Sequence, residues 1–574
     1  MGNISMLIAS GAVVLLLVML VFLSFNKRRI VALFVCSCII TVLLIADTNF
    51  FRYYYNILTI PVILQCDIRL LSSVDQSIMS LFKIKDVIYL LDLPLMILGL
   101  KSLSLKTVEE ISLKKRMKIA LPIMIIGLVC FFTVYSTTDK GIFAYSGNYV
   151  ARRMGVLYSH VDLTKNYIKE TISNNKGLSG RERQSIESFF KNRKKEGNRL
   201  YGAAEGKNLI IIQMEAMQGF VVNRKLNGVE ITPNLNRLIK ESLYFDNFYF
   251  QVAGGNTSDA EFLCNTSLYP VKEGSVYMRY PYNTYHSLPR ILKDKGYKTY
   301  ALHAFDENFW NRKEMYKAIG FDNFFHSENF EKDDFAGWDG TALSDRSFFR
   351  QSLDKIDTSS PFYSFFITLS SHHPFTYFEN YDFDVGEFEG KYLGNYIRAA
   401  NYADSCLGEF LQDLKDRGLY ENSLLVLYGD HSAVPRHMAG ELMEFVGTGY
   451  SDAEWIKLQK VPCMIRYPGL EKGEVISVTG GQVDLLPTIA NLMGLEADYA
   501  MGKDMLNTKK GYAVLRYGHV ITDDYLYLND LKELYDLKSG KALNIKDYKA
   551  QINSLLHELQ VSDLIVEKNA YSKK

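Results

Sequence analysis

Asp430 and His431 stand directly after the apolar run of residues 424–429, at the point where a predicted buried strand ends. A second apolar run, residues 209–212, is soon followed by Glu215. Carboxylate oxygens and an imidazole nitrogen form a ligand set that suits Mn²⁺, Mg²⁺ or Zn²⁺, and the absence of a thiolate argues against a structural zinc site. These side chains therefore predict a divalent metal centre with hydrolase-like chemistry.

A polar turn at residues 254–259 contains a hydroxyl, that of Thr257, which could serve as nucleophile at such a centre. A threonine hydroxyl is a weak nucleophile at neutral pH and needs a base or a metal ion to hold it as an alkoxide. If Thr257 is a fourth ligand beside Glu215, Asp430 and His431, the metal lowers the pKa of its hydroxyl and also polarises a phosphoryl oxygen. Taken alone, Thr257 could instead cap the helix predicted to start there, and a helix N-terminus would also stabilise a phosphate.

Strand-like and helical segments alternate from Asn208 onward, which predicts an α/β fold with a largely parallel sheet. Predicted strands cover residues 209–212, 298–302, 362–368, 423–428 and 461–466, with a further element at 234–243 and a helix at 395–415. Ligands of such sheets bind beyond the carboxyl ends of the strands. We therefore expect one sheet edge to gather the side chains that follow these strands, namely Glu215, His303, His372, Asp430 and His431.

The last part of the soluble region has a different pattern. Short β-like runs separated by turns predict a small antiparallel sheet, at residues 512–515, 519–522, 525–528 and 534–537. A closing helix is predicted at 544–559, and the tail at 569–574 is predicted to be disordered.

The N-terminal part has the composition of a membrane domain, although the whole chain of 574 residues carries a formal net charge of only +1. Residues 4–25 contain no charge and are long enough to cross a hydrocarbon layer of about 30 Å. Shorter apolar runs predict further spans at 30–46 and 118–135, and residues 87–100 form a weaker fourth prediction because they include Asp92 and Pro94.

Basic residues predict the orientation of these spans. Residues 26–29 link the first two spans and residues 101–118 link the last two, and both segments are rich in Lys and Arg, so both should be cytoplasmic. Four spans then place the N-terminus and residues 137–574 outside the cell. A fifth span at 53–69 would move the first basic loop outside and is disfavoured. The soluble part has only Cys264, Cys406 and Cys463, which excludes a disulfide scaffold there. An outward-facing domain with so few cysteines suggests a protein of a bacterial surface.

These observations predict five regions: a transmembrane domain of about four helices at 1–137, a helical linker at 138–206, a catalytic core at 207–500, the small sheet with its closing helix at 501–565, and a tail at 566–574. The linker is either a solvated spacer or a set of amphipathic helices that covers the membrane face. Within it, Gly177-Leu-Ser179 offers the small residues that a signal peptidase prefers, so proteolytic release is one further expectation.

Several motifs together resemble those of one family. Gly255-Asn-Thr257-Ser-Asp-Ala-Glu261-Phe, Phe309-Trp310-Asn-Arg312, Ser370-Ser-His372-His-Pro-Phe375, Tyr428-Gly-Asp430-His431 and Gly481-Gln-Val-Asp484-Leu-Leu-Pro-Thr488 occur in the order seen in lipoteichoic acid synthases. These are membrane-anchored phosphoglycerol transferases with a sulfatase-like, alkaline-phosphatase-type α/β domain. The resemblance covers the membrane region and essentially all of the soluble part.

The resemblance implies a function and assigns roles to residues. It implies transfer of glycerol phosphate from phosphatidylglycerol to a glycolipid anchor or a growing polyglycerolphosphate chain, by a multi-pass protein of the bacterial cell membrane whose catalytic domain is extracellular. In the family, a manganese ion is held by the residues that match Glu215, Thr257, Asp430 and His431, and the match of Thr257 is the nucleophile. The glycerol phosphate is contacted by the residues that match His303, Trp310, Arg312 and His372.

The sequence also departs from the family pattern. Asn256 stands where the family commonly has Lys, and Phe305 where it commonly has Asp, although Asp306 is adjacent. Family members usually have five spans. Three alternatives therefore stay open: transfer of another headgroup such as phosphoethanolamine, a primase that adds only the first glycerol phosphate, and an inactive module that binds anionic polymer. Residues 264–268 do not match the sulfatase motif Cys/Ser-x-Pro-x-Arg, which argues against sulfatase chemistry.

Overall fold

The structure is a computed structural model that describes residues 2–54, 57–65, 83–102, 110–138, 147–174, 177–193, 196–338, 340, 342–378 and 381–572. The chain forms two compact units. The membrane unit comprises Met1–Leu64 and Ile78–Ile172, and the α/β unit comprises Gln65–Ser77 and Ser173–Lys574.

The membrane unit is helical throughout its described part. Its helices are α1 (Gly2–Ser24), α2 (Arg29–Tyr54), α3 (Ile60–Leu64), α4 (Asp92–Ser102), α5 (Leu113–Ser136), α6 (Gly147–Met154) and α7 (Val156–Asn174), with a 3-10 helix at Ile84–Leu90. Within the described residues, three segments are long and apolar enough to cross a membrane: Ile4–Ser24, Arg29–Arg52 and Leu113–Ser136. These correspond to the three stronger spans predicted from the sequence.

The first basic segment and residues 110–116 of the second lie at the same end of the membrane unit, as their charge predicted. Lys27 Nζ is 2.7 Å from a carboxylate oxygen of Glu110. Arg116 Nη1 donates to the carbonyl oxygen of Leu23 at 2.6 Å, at the C-terminal end of α1. The start of α5 therefore lies beside the end of α1. The chain leaves this end of the unit along α2, and at Glu110 it is back at the same end.

Between α2 and α5, the 3-10 helix and α4 lie alongside α2 and form an interrupted helix. Arg52, near the far end of α2, forms an ion pair with Asp86, and Ser37 Oγ donates to Asp92 Oδ2 at 3.0 Å. The 3-10 helix and α4 together rise about 30 Å, which is the thickness of a hydrocarbon core. The weak fourth span predicted at 87–100 is thus not one continuous helix, because the chain breaks at Leu91 between two short ones.

The α/β unit is built on an eight-stranded sheet of order β11-β4-β10-β9-β1-β8-β6-β7. The strands are β1 (Asn208–Met214), β4 (Leu243–Phe245), β6 (Lys298–His303), β7 (Asn323–Phe325), β8 (Phe362–Ile367), β9 (Ser423–Gly429), β10 (Cys463–Arg466) and β11 (Glu474–Ile476). Central β1 pairs in parallel with β8 and β9. The predicted α/β fold is confirmed, and β10 makes the sheet mixed because it runs antiparallel to both β9 and β4.

The sheet is buried on both faces, which explains why its central strands are continuous apolar runs. Every residue of β1 is buried. Leu209 and Ile211 belong to one core cluster, whereas Ile210 and Ile212 belong to the other. This alternation follows from the two-residue period of a strand and divides the core into two layers.

Helices cover both faces of the sheet. They are α8 (Gly180–Asn192), α9 (Pro233–Ile239), α10 (Thr257–Thr266), α11 (Val276–Arg279), α12 (Leu288–Lys293), α13 (Arg312–Ile319), α14 (Asp345–Ser352), α15 (Tyr392–Asp416), α16 (Ala439–Val446), α17 (Asp452–Lys457), α18 (Leu485–Leu492) and α19 (Ile545–Glu567). The loops also contain two short two-stranded sheets, β2 (Lys225–Leu226) with β3 (Val229–Glu230) and β5 (Phe248–Tyr249) with β12 (Gly480–Gly481).

The predicted C-terminal sheet is present as four antiparallel strands, β13 (Tyr512–Val514), β14 (Val520–Thr522), β15 (Tyr525–Leu528) and β16 (Glu533–Asp536). Helix α19 extends beyond its predicted end. The prediction of a disordered tail is wrong as far as Ser572, because Asn569 Oδ1 accepts from the backbone N–H of Thr284 at 2.9 Å and Tyr571 packs edge-on against His286. The packing of the Tyr571 ring therefore orders a segment whose polar composition had predicted disorder.

The predicted helical linker is divided between the two units. Helices α6 and most of α7 belong to the membrane unit, whereas α8 belongs to the α/β unit. Ser179 caps α8, and Glu182 binds Lys568 Nζ at 2.7 Å. Lys568 also donates to the carbonyl oxygen of Gly177 at 3.3 Å. Cleavage at this segment stays a prediction.

Candidate metal and nucleophile centre

Glu215, Asp430 and His431 meet at the carboxyl ends of β1 and β9. The register pairs Met214 with Gly429, so the residues that follow each strand are adjacent. His431 Nε2 lies 3.4 Å from Glu215 Oε1 and 3.6 Å from Asp430 Oδ2. One ligand atom from each of the three buried side chains lies within 4.8 Å of the others. This is the arrangement predicted from the strand ends.

The hydrogen bonds around these side chains fit a divalent cation. Asp430 Oδ1 accepts from the N–H groups of Ala216 and His431, each at 2.7 Å, but the buried Oδ2 has no hydrogen-bond partner. His431 Nδ1 donates to the carbonyl oxygen of Ser432 at 3.0 Å, which leaves Nε2 as the free ligand atom. A buried carboxylate oxygen without a partner is costly unless a cation satisfies it.

Electrostatics also favour a cation at this position. Burial opposes a charge on the imidazole, but Asp430 and Glu215 outweigh that effect and raise the pKa of His431 to about 10. Burial raises the pKa of Asp430 well above its usual value, and the charge of Glu215 adds to the shift. Two buried carboxylates beside one imidazole therefore need a positive charge, which a divalent metal ion can supply.

Thr257 is the first residue of α10, and its side chain faces the same centre. Its Oγ1 donates to Glu215 Oε2 at 3.1 Å. The structure corrects the alternative in which Thr257 is the helix cap, since Asn256 occupies the N-cap position. The Thr257 hydroxyl is therefore free for chemistry at a helix N-terminus, where a developing negative charge is stabilised.

The turn before Thr257 is held by a buried carboxylate. Asp259 Oδ2 accepts from the N–H groups of Ala253 and Gly255, both at 2.9 Å. A Cβ on Gly255 would lie 2.2 Å from Asp259 Oδ1, so no larger residue fits there. Asn256 has a φ of 40°, a backbone conformation that costs energy for a residue other than glycine. These features fix the direction of the Thr257 side chain.

The loop after β8 is tied to the metal centre from the other side. Thr368 Oγ1 accepts from the N–H of Glu215 at 2.9 Å, and Ser371 Oγ donates to its carbonyl oxygen at 2.6 Å. Asp345 Oδ1 accepts from the N–H groups of Leu369 and Ser370. Asp345 is buried, and this desolvation raises its pKa to about 6. The loop therefore has a fixed path into His372.

His303 and His372 present the same ring nitrogen to the site. His303 Nδ1 donates to the carbonyl oxygen of Ile367 at 3.1 Å, and His372 Nδ1 donates to that of His373 at 2.6 Å. Nε2 is then the free atom of each ring, a proton acceptor in the neutral form. Burial is the main cause that lowers the pKa of both imidazoles, so both are neutral at pH 7.

Trp338 packs flat against His372. The ring centroids are 3.9 Å apart and the planes differ by 22°. The indole also stacks with Phe305, with centroids 4.9 Å apart and planes 30° apart. Phe305 therefore belongs to an aromatic stack with Trp338 and His372, at the position where Asp was expected from the family pattern. Asp306, its acidic neighbour, is exposed and accepts from the N–H of Asn308.

Arg312 is 1% exposed and is paired with a carboxylate of the protein itself. Its Nε and Nη2 donate to Glu261 Oε1 at 3.0 and 2.7 Å, and Tyr316 OH donates to Oε2 at 2.6 Å. Nη1 makes only a 3.4 Å contact, to the carbonyl oxygen of Phe309, so it has capacity for a phosphate. Half-buried Trp310, two residues before Arg312, has a φ of 56°.

Sequence reasoning missed three residues that shape this centre, Asp345, Trp338 and Gln482. Gln482 Nε2 donates to the carbonyl oxygens of Gly429 and Asp430 at 3.2 and 2.6 Å and so holds the end of β9. Its place in the 481–488 motif was a usable signal. Trp338 and Asp345 stand outside every quoted motif and had no comparable signal.

Two family models match the chain. Residues 207–495 match the model described as Sulfatase, and residues 1–175 match the model described as Lipoteichoic acid synthase N-terminal domain. Among solved structures, the lipoteichoic acid synthase LtaP from Listeria monocytogenes aligns with a TM-score of 0.62 at 32% identity, over 67% of this chain and 98% of that one. An alkaline phosphatase superfamily protein from Vibrio parahaemolyticus, at 19% identity and a TM-score of 0.55, shows the same fold.

Curated relatives cover nearly the whole sequence. Lipoteichoic acid synthase 2 of Bacillus subtilis is 33% identical over 94% of this chain and 84% of its own length. Lipoteichoic acid synthase-like YvgJ of the same organism is 35% identical over 95% and 89%. Lipoteichoic acid synthase of Staphylococcus aureus is 30% identical over 96% and 86%. With its matching membrane domain and its sulfatase-like, alkaline-phosphatase-type α/β domain, the chain belongs to the lipoteichoic acid synthase family.

Proposed function

We propose that this protein is a metal-dependent phosphotransferase that moves glycerol phosphate from phosphatidylglycerol to a glycolipid anchor or a growing polyglycerolphosphate chain. The observation that carries the proposal is the placement of Thr257, whose hydroxyl donates to Glu215 at the edge of the three-residue ligand cluster. Family membership supports the choice of lipid and polymer as substrates, since the relatives are lipoteichoic acid synthases.

In the first half-reaction, Thr257 Oγ1 attacks the phosphorus of phosphatidylglycerol. A bond forms between the threonine oxygen and phosphorus, and the bond to the diacylglycerol oxygen breaks. The threonine proton passes to a base, and diacylglycerol leaves after its oxygen is protonated. A glycerophospho-threonine remains, and its phosphate lies at the N-terminus of α10, which favours negative charge.

In the second half-reaction, the terminal hydroxyl of the acceptor attacks the same phosphorus and releases Thr257. The free Nε2 atoms of His303 and His372 are proton acceptors within this site, and either can take the proton of the acceptor hydroxyl. Arg312 Nη1 and Trp310 are the proposed contacts to the phosphate and the glycerol. Arg312 is preorganised for this role by Glu261, which fixes the guanidinium plane.

Glu215, Asp430, His431 and Thr257 are the proposed ligands of one divalent ion, for which we favour Mn²⁺ over Mg²⁺ or Zn²⁺. When bound, such an ion supplies charge neutralisation and a lowered pKa for the Thr257 hydroxyl. The buried, unpartnered Oδ2 of Asp430 supports this assignment from the structure alone.

The proposed location is the bacterial cell membrane, with the α/β unit outside the cell. Three described helices are long and apolar enough to span, and an interrupted segment returns the chain to the basic end of the bundle. Because that basic end is expected to be cytoplasmic, α5 leads outward. The α/β unit then shares the outer side with the headgroups of phosphatidylglycerol and the glycolipid.

The direct test is to incubate the purified protein and Mn²⁺ with fluorescent phosphatidylglycerol and to follow lipid and polymer products together. We expect diacylglycerol release and, in the absence of acceptor, a mass increase of one glycerol phosphate on the peptide that contains Thr257. Thr257→Ala should abolish both signals, and Thr358→Ala, a change at an exposed threonine, should preserve them. Diacylglycerol release by Thr257→Ala would disprove the covalent scheme.

A second candidate, a primase that adds one glycerol phosphate to a glycolipid, is favoured by the aromatic stack. Phe305 and Phe309 pack against Trp338, which stacks on His372, so this surface of the site is apolar where the family commonly has Asp. An apolar ring surface suits the face of a sugar. Product length separates the two candidates: a primase gives a single addition, and Phe305→Asp should then lengthen the product.

A further inference from the structure

Helix α7 has one face packed against the membrane helices. Ser159 is fully buried, and His160 Nε2 lies 2.6 Å from Asp47 Oδ2 on α2. The ring of Tyr158 packs edge-on against Phe131 on α5, with centroids 5.0 Å apart. These contacts fix α7 to two spanning helices of the same unit.

The other face of α7 combines large aliphatic side chains with lysines. Val161, Ile168 and Ile172 are 59%, 52% and 55% exposed. Lys165 and Lys169 are exposed between them. The spacing of these five residues is that of a single helical stripe, because neighbours on one face are three or four residues apart. Three exposed β-branched aliphatics in one stripe form an apolar patch of the kind that marks a protein or membrane contact.

The position of α7 in the membrane unit identifies that partner. Gly155, at the corner between α6 and α7, contacts Ser10 of α1 so closely that a Cβ there would lie 2.0 Å from its Oγ. Ala9, Val134, Val150 and Met154 form a buried cluster that joins this corner to the start of α1 and the end of α5. This is the end opposite the basic Lys27 segment, and therefore the end at the outer surface of the bilayer.

We propose that α7 is an interfacial helix whose stripe of Val161, Lys165, Ile168, Lys169 and Ile172 binds the outer leaflet of an anionic bilayer. The aliphatic side chains enter the boundary between headgroups and acyl chains, and the two ammonium groups bind lipid phosphates from above. Continuity with the spanning helices sets the depth, and the lysines complement an anionic surface. The inference does not depend on the phosphotransfer activity and adds a lipid-binding surface to the protein.

The test uses the full-length protein in vesicles of equal parts phosphatidylglycerol and phosphatidylcholine, with the photoreactive residue p-benzoylphenylalanine in place of Ile168. The matched control places the same residue at Val475, which is 55% exposed on β11 of the α/β unit. After irradiation, mass spectrometry of the labelled peptide should find lipid adducts at 168 that exceed those at 475 by about tenfold. Adducts of 168 with this chain or a second copy, or equal yields at both positions, would overturn the proposal.

The role of the lysines has its own test. In the background labelled at 168, Lys165→Gln with Lys169→Gln should reduce adducts with phosphatidylglycerol and leave adducts with phosphatidylcholine unchanged. The control pair Lys538→Gln with Lys541→Gln, at exposed positions of the α/β unit, should change neither. An equal loss of both adducts would contradict the proposed headgroup contact. Because crosslinking requires no turnover, a failed phosphotransfer assay does not affect this result.

Discussion

The indole of Trp338 lies parallel to the imidazole of His372, with 3.9 Å between the ring centroids and 22° between the planes. A hydrogen bond from Nδ1 to the carbonyl oxygen of His373 fixes the rotation of the imidazole. The loop that carries Trp338 packs directly against the loop that carries His372, because a Cβ on Gly337 would lie 2.0 Å from the carbonyl oxygen of Ser370. Trp338 is therefore a positioning residue for His372.

Trp338→Ala should lower kcat for phosphatidylglycerol turnover by about 10- to 100-fold, because a small displacement of a proton-transfer group is costly. Burial is the main cause that lowers the pKa of His372, so the water admitted by this change should raise it. Since the neutral imidazole is the active form, the acidic limb of the pH–rate profile should move to higher pH. Trp338→Phe should restore most of the rate, and an unchanged profile in Trp338→Ala would contradict the positioning role.

Removal of metal should destabilise the α/β unit, because Glu215 and Asp430 then lie buried side by side. Added Mn²⁺ should raise the Tm of metal-stripped protein, corresponding to about 2.7 kcal/mol at a concentration one hundred times the Kd. Asp430→Asn should abolish this shift and the bound manganese measured by mass spectrometry. Asp404→Asn, at a buried carboxylate that binds the N–H groups of Asn234 and Leu235, should retain both. Bound manganese in Asp430→Asn would argue against the assigned ligands.

Gly255→Ala should inactivate the protein, because the new methyl group would lie 2.2 Å from Asp259 Oδ1 and would displace the turn that directs Thr257. Overpacking of this kind costs about 1–3 kcal/mol. Gly440→Ala is the matched control, since nothing lies within 4 Å of the added methyl group. Thermal unfolding and diacylglycerol release measure the two effects, and normal release by Gly255→Ala would exclude a rigid turn.

Asp345→Asn should change how stability depends on pH. Burial raises the pKa of Asp345 to about 6 in the folded protein, so the folded state holds its proton to higher pH than the unfolded chain. This group therefore lowers the free energy of unfolding as pH rises from about 4 to about 6. Asp345→Asn should remove that fall in a series of Tm measurements.

Asp357→Asn is the control for the same series of Tm measurements, because the pKa of Asp357 is shifted in the opposite direction to that of Asp345. The hydrogen bond from Lys298 lowers the pKa of Asp357, so its contribution is present at neutral pH and is lost as pH falls. Its removal should flatten the acid side of the curve. Equal effects of the two substitutions would contradict the burial of Asp345.

The ligand cluster was predictable because parallel strands end at one edge of their sheet. Glu215 and Asp430 each follow an apolar run, and the register of β1 with β9 brings them together. The partners of His372 were not predictable. Trp338 stacks on its ring, and Asp345, the first residue of α14, binds the N–H groups of Leu369 and Ser370 in the loop that leads to it. These contacts depend on how α14 and β8 pack, and short-range patterns carry no information about them.

The sequence by itself determined the membrane segments, the α/β alternation and the types of ligand, since apolar periodicity and charge act locally along the chain. Only the tertiary structure decided that Asn256 rather than Thr257 is the N-cap of α10. It also decided that Glu261 pairs with Arg312 and that Trp338 stacks on His372. It further decided that the helical segment at 84–102 breaks at Leu91 and that Tyr571 is packed against His286. Each of these depends on contacts between residues distant in sequence, whose energies arise only when the folded chain brings them together.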